Sequence, residues 1–136
     1  MSDDARFPAR FDSNVWDTDL ARSSPACRIA AESARCDYRS AGVPVEHLHR
    51  CDPEGREGNN LSNCLKVRVP HPNGRWGMIF RAILLDDRLQ LEFLAFGVRH
   101  HPQRSHALDV YDIADARLAD ILARDLRSDK PKHPPK

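Results

Sequence analysis

Two cations at strand spacing are the first residues of this sequence that could carry chemistry. Lys66 and Arg68 alternate with Leu65, Val67 and Val69. Because the side chains of a strand point alternately to opposite faces, this pattern places both cations on one face and the three aliphatic residues on the other. A basic strand face attracts phosphate groups, although an ordinary solvated surface has the same pattern. The pattern therefore indicates a candidate phosphate-binding strand.

A basic, histidine-rich loop follows the last predicted strand and ends on Tyr111. It carries His100, His101 and His106. An imidazole titrates near neutral pH, so each of these side chains is a candidate general acid or base. The same composition is typical of a polar surface loop. Tyr111 begins a predicted helix, where it is either part of a site or a core anchor with its hydroxyl at the surface.

The formal net charge of +1 conceals an uneven distribution. Residues 63–111 carry seven Lys/Arg, four Asp/Glu and four His, whereas residues 1–62 carry eight Lys/Arg and eleven Asp/Glu. The predicted sheet is thus the basic part of the chain. No apolar run approaches the roughly 20 residues that span a bilayer, and the N-terminus MSDDARFPAR is too acidic and polar for a signal peptide. We therefore expect a cytoplasmic protein with no membrane partner.

The helices that must position these residues are predicted from local signals. Ser24-Pro25 is a helix start, because Ser caps a helix and Pro fits its first turn, and Gly42 is a helix end. Between them, apolar residues recur at helical spacing. A shorter helical turn is expected earlier in the chain, capped by Ser13 or Asn14. The predicted helices cover residues 16–22, 25–41 and 112–126.

Three antiparallel strands are predicted between the last two helices, with a short edge strand possible over residues 6–11. The run WGMIFRAILL, residues 76–85, is almost unbroken apolar, which is typical of a central strand covered on both faces. Asp86-Asp87 is a tight polar connection to the next alternating run, so these two runs form a hairpin. The order predicts an α+β fold with a three- to four-stranded antiparallel sheet. Helices are expected on one face, with Lys66 and Arg68 on the other, more open face.

One domain without a metal site is expected. A chain of 136 residues is long enough for one core, so residues 1–128 are predicted to form a single domain. The Pro- and Lys-rich residues 129–136 are predicted to be a disordered basic tail. The four cysteines contain no C-x-x-C pair, and the HLHRC stretch at residues 47–51 has no second ligand pair after it. We therefore predict reduced cysteines, no metal and no cofactor.

The spacing of single residues across the sheet segment resembles the RelE/ParE superfamily of bacterial toxins. The matching pieces are CLKVRV at 64–69, NGRWGMIFR at 73–81, DDR at 86–88, AFGVRH at 95–100 and DVYDIA at 109–114. The resemblance spans residues 24–122 and implies N-terminal helices, an antiparallel sheet and a C-terminal helix. RelE-like members cut messenger RNA in the ribosomal A site without metal. The 2′-hydroxyl of the RNA attacks the adjacent phosphate and leaves a 2′,3′-cyclic end.

The resemblance also implies residue roles. The reaction needs a base for the 2′-hydroxyl, cations for the charge on the phosphorane and an acid for the leaving 5′-oxygen. The implied catalytic residues are Lys66, Arg68, Arg99 and Tyr111. The candidate RNA-binding residues are Arg75, Arg81, His100, His101, Arg104 and His106.

Two of these assignments have alternatives. The family has an arginine shortly after a glycine at the end of a strand. Arg99 matches this position, and Arg104 is the alternative. Arg75 lies in the turn that carries the family's phosphate-binding arginine, whereas an ungapped alignment puts Gly77 there. Arg81 is the alternative phosphate ligand, or it pairs with Glu92 across the hairpin instead.

Three functions stay open at this stage. The first is a RelE-type endoribonuclease that is bound by a small acidic antitoxin and acts on messenger RNA and the ribosome. The second is a ParE-type toxin, which shares the fold, has no catalytic cluster and inhibits a topoisomerase, DNA gyrase. The third is a binding module with the same fold and another duty.

Overall fold

A computed structural model of the protein describes residues 5–51, 64–69, 76–98 and 110–129. The helices are α1 (Ser13–Ala21), α2 (Pro25–Ala41) and α3 (Val110–Asp129). The strands are β1 (Arg6–Phe7), β2 (Ala9–Arg10), β3 (Val43–Pro44), β4 (His49–Arg50), β5 (Cys64–Val69), β6 (Trp76–Leu85) and β7 (Arg88–Val98). The predicted α+β class with a C-terminal helix is confirmed. The predicted tail covers residues 129–136; Asp129 is the last residue of α3, and residues 130–136 lie outside the described residues.

The α2 helix forms where the sequence predicts it, because both of its ends carry capping residues. The Ser24 hydroxyl accepts a hydrogen bond of 3.3 Å from the Cys27 N–H, and Pro25 occupies the first turn. Gly42 ends the helix at a φ of 82°, where a Cβ would come within 3.0 Å of the Phe7 carbonyl oxygen. A residue with a side chain would be strained there, so this glycine fixes where the chain leaves α2.

Five strands form a mixed sheet in the order β2-β7-β6-β5-β4, and β1 pairs with β3 in a separate two-stranded sheet. The strands β5, β6 and β7 are antiparallel neighbours, as predicted, and β4 pairs antiparallel with β5 as a strand that was not predicted. The sheet gains a parallel strand, β2, which places Ala9 opposite Leu91. The β6–β7 hairpin turns at Asp86 and Asp87, whose φ values are 54° and 65°. Aspartate tolerates this left-handed region better than most residues, which explains why the predicted hairpin ends here.

The sheet carries helices on both faces, so the expectation of helices on one face was wrong. One core cluster joins Trp16 of α1 and Ala31 of α2 to sheet residues such as Phe80. The other joins Tyr111 and neighbouring α3 residues to sheet residues such as Ile79. Consecutive residues of β6 therefore enter opposite cores, which agrees with the prediction that its apolar run is covered on both faces. Among the described helices, none is long and apolar enough to cross a bilayer.

A buried carboxylate connects α1, β7 and α3. Asp19 of α1 accepts hydrogen bonds of 2.7 Å from both terminal guanidinium nitrogens of Arg117 in α3. It also accepts one of 2.8 Å from the backbone N–H of Phe96, in the part of β7 beyond its short pairing with β2. Arg117 donates a further bond to the Leu94 carbonyl oxygen. These contacts satisfy polar backbone groups of β7 where no strand of the described residues pairs with it on that side, and they fix α1 and α3 relative to the sheet.

Candidate functional site

The strand register places the two predicted cations in adjacent rows of the sheet, on the face that α3 covers. Lys66 lies opposite Ile79, and Arg68 lies opposite Gly77, which in turn lies opposite Gly97. The prediction that both cations share one face is confirmed by this register. Their surroundings differ, because Lys66 is only 1% exposed and Arg68 is exposed. Lys66 therefore lies under α3 rather than on the open face that the sequence predicts.

The Lys66 ammonium is held by Tyr111, 45 residues later in the chain. Its Nζ donates a hydrogen bond of 3.1 Å to the tyrosine hydroxyl oxygen and lies 5.4 Å from the centre of the same ring. The first contact is a charge-assisted hydrogen bond and the second is a cation–π interaction. Tyr111 is fully buried in the first turns of α3. Two residues that the sequence assigns to one site are therefore in direct contact.

Two glycines border Arg68 on this side of the sheet. Its row continues through Gly77 of β6 to Gly97 of β7, so neither β6 nor β7 presents a side chain there. A Cβ at Gly97 would lie 3.7 Å from Cβ of Val110, the first residue of α3, which shows how closely the helix approaches the sheet. Arg68 is exposed, and the two glycines leave the rest of its row without a side chain. Of the two cations Lys66 and Arg68, Arg68 is therefore the one that is accessible to a phosphate group from solvent.

His49 is a member of this site that the sequence interpretation missed. The β4–β5 register places it directly opposite Lys66, on the same face, and its side chain is exposed. Directly opposite residues of antiparallel strands have Cβ atoms about 4.5–5.5 Å apart, so the His49 side chain lies next to the Lys66 side chain on the neighbouring strand. The alternation in HLHRC is a signal for a strand, but only the pairing with β5 shows which residue His49 faces. The structure thus adds an exposed imidazole beside Lys66.

Arg81 lies elsewhere on the sheet and is engaged by carboxylates. Its Nε is 2.6 Å from Glu92 across the hairpin, and a terminal nitrogen is 3.6 Å from Asp125 of α3. The cross-hairpin pair, one of the two alternatives for Arg81, is confirmed. A cleft of about 510 Å³ beside it is lined by arginines and carboxylates in equal number, namely Arg10, Arg81, Arg124, Asp12, Glu92 and Asp125. This balance gives the cleft no excess positive charge for a polyanion.

Six of the predicted site residues lie outside the described residues. They are Arg75, Arg99, His100, His101, Arg104 and His106. Their placement and their roles stay predictions, as do the catalytic roles of Lys66, Arg68 and Tyr111.

The cysteines of the described residues are not disulfide-bonded. Burial raises the pKa of the Cys64 thiol to about 11, with Arg81 lowering it and Asp115 raising it by smaller amounts. Burial likewise raises the pKa of Cys27 to about 11. These thiols are therefore protonated near neutral pH and are weak metal ligands. No group of three or more potential metal-ligating side chains occurs within residues 5–51, 64–69, 76–98 and 110–129.

Comparisons with known proteins return one solved structure. No protein-family model matches the sequence, and no curated protein sequence matches it. Among solved structures, a double arginine-to-alanine mutant of the toxin RelE from E. coli in the free state is similar, with 10% sequence identity and a TM-score of 0.41. The similarity covers 88% of this chain and 98% of that chain.

Proposed function

We propose that this chain is a toxin-like endoribonuclease of RelE type, which cleaves messenger RNA on the ribosome by metal-independent attack of the RNA's own 2′-hydroxyl. The observation that supports it is the contact between Lys66 of β5 and Tyr111 of α3, with the exposed Arg68 in the next row of the same face. The sequence resemblance assigns these three residues to one site. The basic character of residues 63–111 favours a phosphate-bearing substrate.

The burial of the individual groups suggests how they divide the work. Arg68 is exposed and binds a phosphate oxygen directly, together with Arg99 of the following segment. Lys66 is buried, so in this arrangement it acts through its charge, which is screened less under α3 than it would be in water. Tyr111 keeps that ammonium in place. The cations together stabilise the charge that develops on the non-bridging oxygens.

Proton transfer in this proposal belongs to histidines. His49 stands opposite Lys66 on the exposed border of the site. His100, His101 and His106 of the loop are the further candidates from the sequence. A 2′-hydroxyl needs a base and a 5′-oxygen needs an acid, and imidazoles serve both roles near neutral pH.

A ParE-type role, in which the protein binds and inhibits DNA gyrase, is the second candidate. The observation that favours it is the burial of Lys66 and Tyr111, which are 1% and 0% exposed and hydrogen-bonded to each other. Groups held in this way can serve the fold without touching a substrate. Cleavage of RNA by the purified protein would decide between the two candidates.

We propose a small acidic antitoxin as the partner, acting in the cytoplasm where the ribosomes are. Exposed leucines on α3 and at the tip of the β6–β7 hairpin support a protein partner; they are Leu84, Leu85, Leu122 and Leu126. An amphipathic segment of an antitoxin would cover such residues with its apolar face. Harmless high-level expression of the isolated wild-type chain would count against a toxin.

The experiment that tests the proposed function is induced expression followed by mapping of RNA ends, and then cleavage of a translated message by the purified protein. Growth arrest and new message ends that carry 2′,3′-cyclic phosphates are expected. Arg99→Ala should abolish the arrest. Arrest without new RNA ends would support the gyrase-binding candidate, and new ends that carry 3′-hydroxyl groups instead of cyclic phosphates would refute the proposed mechanism.

A further inference from the structure

Two cysteines face each other where β4 meets β5. The strand register continues from the pair His49–Lys66 and places Cys51 opposite Cys64. The Cys51 N–H donates a hydrogen bond of 3.4 Å to the Cys64 carbonyl oxygen. Both side chains are buried in the core cluster beneath α3. The two thiols are therefore neighbours in space, although residues 52–63 separate them in sequence.

We propose that Cys51 and Cys64 form a reversible intrachain disulfide bond, which ties β4 to β5 and closes residues 52–63 into a loop. Cα atoms of a hydrogen-bonded antiparallel pair are about 5.5 Å apart, within the roughly 4.4–6.8 Å that a disulfide bridges. Cβ atoms of directly opposite residues lie about 4.5–5.5 Å apart, whereas a disulfide needs about 3.5–4.5 Å. The strands must therefore close slightly, and a bond formed in this way is easily reduced.

The covalent step is thiol–disulfide exchange with a small disulfide such as oxidised glutathione. One cysteine thiol loses its proton, and the thiolate attacks the glutathione disulfide, forming a mixed disulfide and releasing one glutathione thiolate. The second cysteine then loses its proton and attacks the protein sulfur of that mixed disulfide. The protein disulfide forms, and the second glutathione leaves as a thiolate. The protein loses two protons and two electrons, and the glutathione disulfide takes them up and becomes two thiols.

Access to the thiols is provided by the shortness of β4. This strand has two residues, and among the strands that the structure describes it pairs with β5 alone and lies at the edge of the sheet. Local opening of so short an edge element costs much less than global unfolding, so an oxidant reaches Cys51 without denaturing the protein. Cys27 belongs to the core cluster of α2, on the opposite face of the sheet, and cannot take part.

The bond acts on the candidate site without being part of it. His49 is two residues from Cys51, and Lys66 is two residues from Cys64. A disulfide would keep β4 paired with β5. After reduction, the hydrogen bonds and side-chain contacts of this two-residue strand alone would hold it on the sheet. The inference needs only the strand register, so it does not depend on the RNA-cleaving role.

Peptide mapping of the full chain tests the proposal, because trypsin places each cysteine on a separate peptide. Cleavage after Arg50, Arg56 and Lys66 gives residues 51–56 and 57–66, while Cys27 lies in residues 23–28 and Cys36 in residues 36–39. The Cys36→Ser chain, which lacks the exposed thiol, is treated with oxidised glutathione, alkylated and digested without reductant. Peptides 51–56 and 57–66 should be joined, with the mass two hydrogens lower, and dithiothreitol should separate them.

The matched variants are Cys51→Ser and Cys64→Ser in the same background. Each should abolish the joined peptide, and titration of the denatured oxidised parent should find one free thiol instead of three. The proposal is overturned if the two peptides stay separate in the oxidised parent, carry only glutathione adducts, or are joined to peptide 23–28. Because the parent keeps both cysteines, these outcomes are measured on a protein whose fold is unchanged at this site.

Discussion

The Lys66 ammonium and the Tyr111 hydroxyl are joined by a hydrogen bond of 3.1 Å beneath α3, where both side chains are buried. This contact holds the first turns of the helix against β5, one row away from the exposed Arg68 of the same strand. A buried ammonium group destabilises the folded state when it loses a hydrogen-bond acceptor. The pair therefore matters to stability whether or not the site is catalytic.

A double-mutant cycle should reveal coupling between these two residues. Tyr111→Phe removes the acceptor and should lower the free energy of unfolding by about 1–3 kcal/mol, because the ammonium loses a charge-assisted hydrogen bond. In Lys66→Met the ammonium is absent, so the same tyrosine change should cost at least about 1 kcal/mol less. Urea unfolding measures all four chains. Tyr38→Phe, which removes a bond to the His47 ring, is the uncharged control and should not couple to Lys66→Met.

Replacing the exposed arginine of the site should weaken RNA binding. Arg68→Ala should lower affinity for a single-stranded RNA oligonucleotide and reduce the slope of log affinity against log salt by about 0.7–1, the value for one phosphate contact. Arg88→Ala is the matched control, because Arg88 is also an exposed strand arginine but lies at the hairpin end of the sheet. Binding at several salt concentrations measures both variants. Equal losses for the two would show that the contact is not specific to this site.

Removing the imidazole opposite Lys66 should slow RNA cleavage. His49→Gln should reduce the rate by about 100-fold or more if this side chain transfers a proton, and it should flatten one limb of the pH–rate profile. His47→Gln is the control, since His47 lies two residues away and is hydrogen-bonded to Tyr38. Single-turnover rates between pH 5 and 9 distinguish the two. An unchanged profile in His49→Gln would assign proton transfer to the loop histidines instead.

Loss of the buried carboxylate should destabilise the protein strongly. Asp19→Ala removes the carboxylate that accepts two hydrogen bonds from Arg117 and one from the Phe96 N–H. The free energy of unfolding should therefore fall by about 3–5 kcal/mol. Asp17→Ala, an exposed site on the same helix, should change it by less than about 0.5 kcal/mol. Chemical denaturation provides the comparison. Similar values for the two variants would contradict the connecting role of Asp19.

Stability should fall in mildly alkaline solution because of the buried thiols. The folded-state pKa of Cys64 is raised to about 11 from the ordinary value of 9.0, so the unfolded chain loses this proton first. The stabilising contribution is complete below pH 9 and is lost as the pH rises towards 11, by up to roughly 2 kcal/mol. Unfolding of the reduced protein between pH 8 and 11 should therefore show a shallower decline in Cys64→Ala than in wild type. Parallel curves would contradict the assignment.

The sequence by itself determined the elements whose signals are local. Ser24, Pro25 and Gly42 mark the ends of α2, and Asp86-Asp87 marks the hairpin, because caps and turns depend on a few adjacent residues. Strand alternation placed Lys66 and Arg68 on one face. The unbroken apolar run of β6 correctly indicated two covered faces, even though the order of elements suggested helices on one face only.

Only the tertiary structure decided which distant residues meet. An aspartate on a short helix is ordinarily exposed, and nothing in its sequence neighbours shows that Asp19 is buried against Arg117, 98 residues away. The same holds for His49, whose position opposite Lys66 follows from the pairing of a two-residue strand. Burial of Lys66 likewise depends on α3 crossing that face. Such contacts are set by the packing of whole elements, which spacing along a chain does not encode.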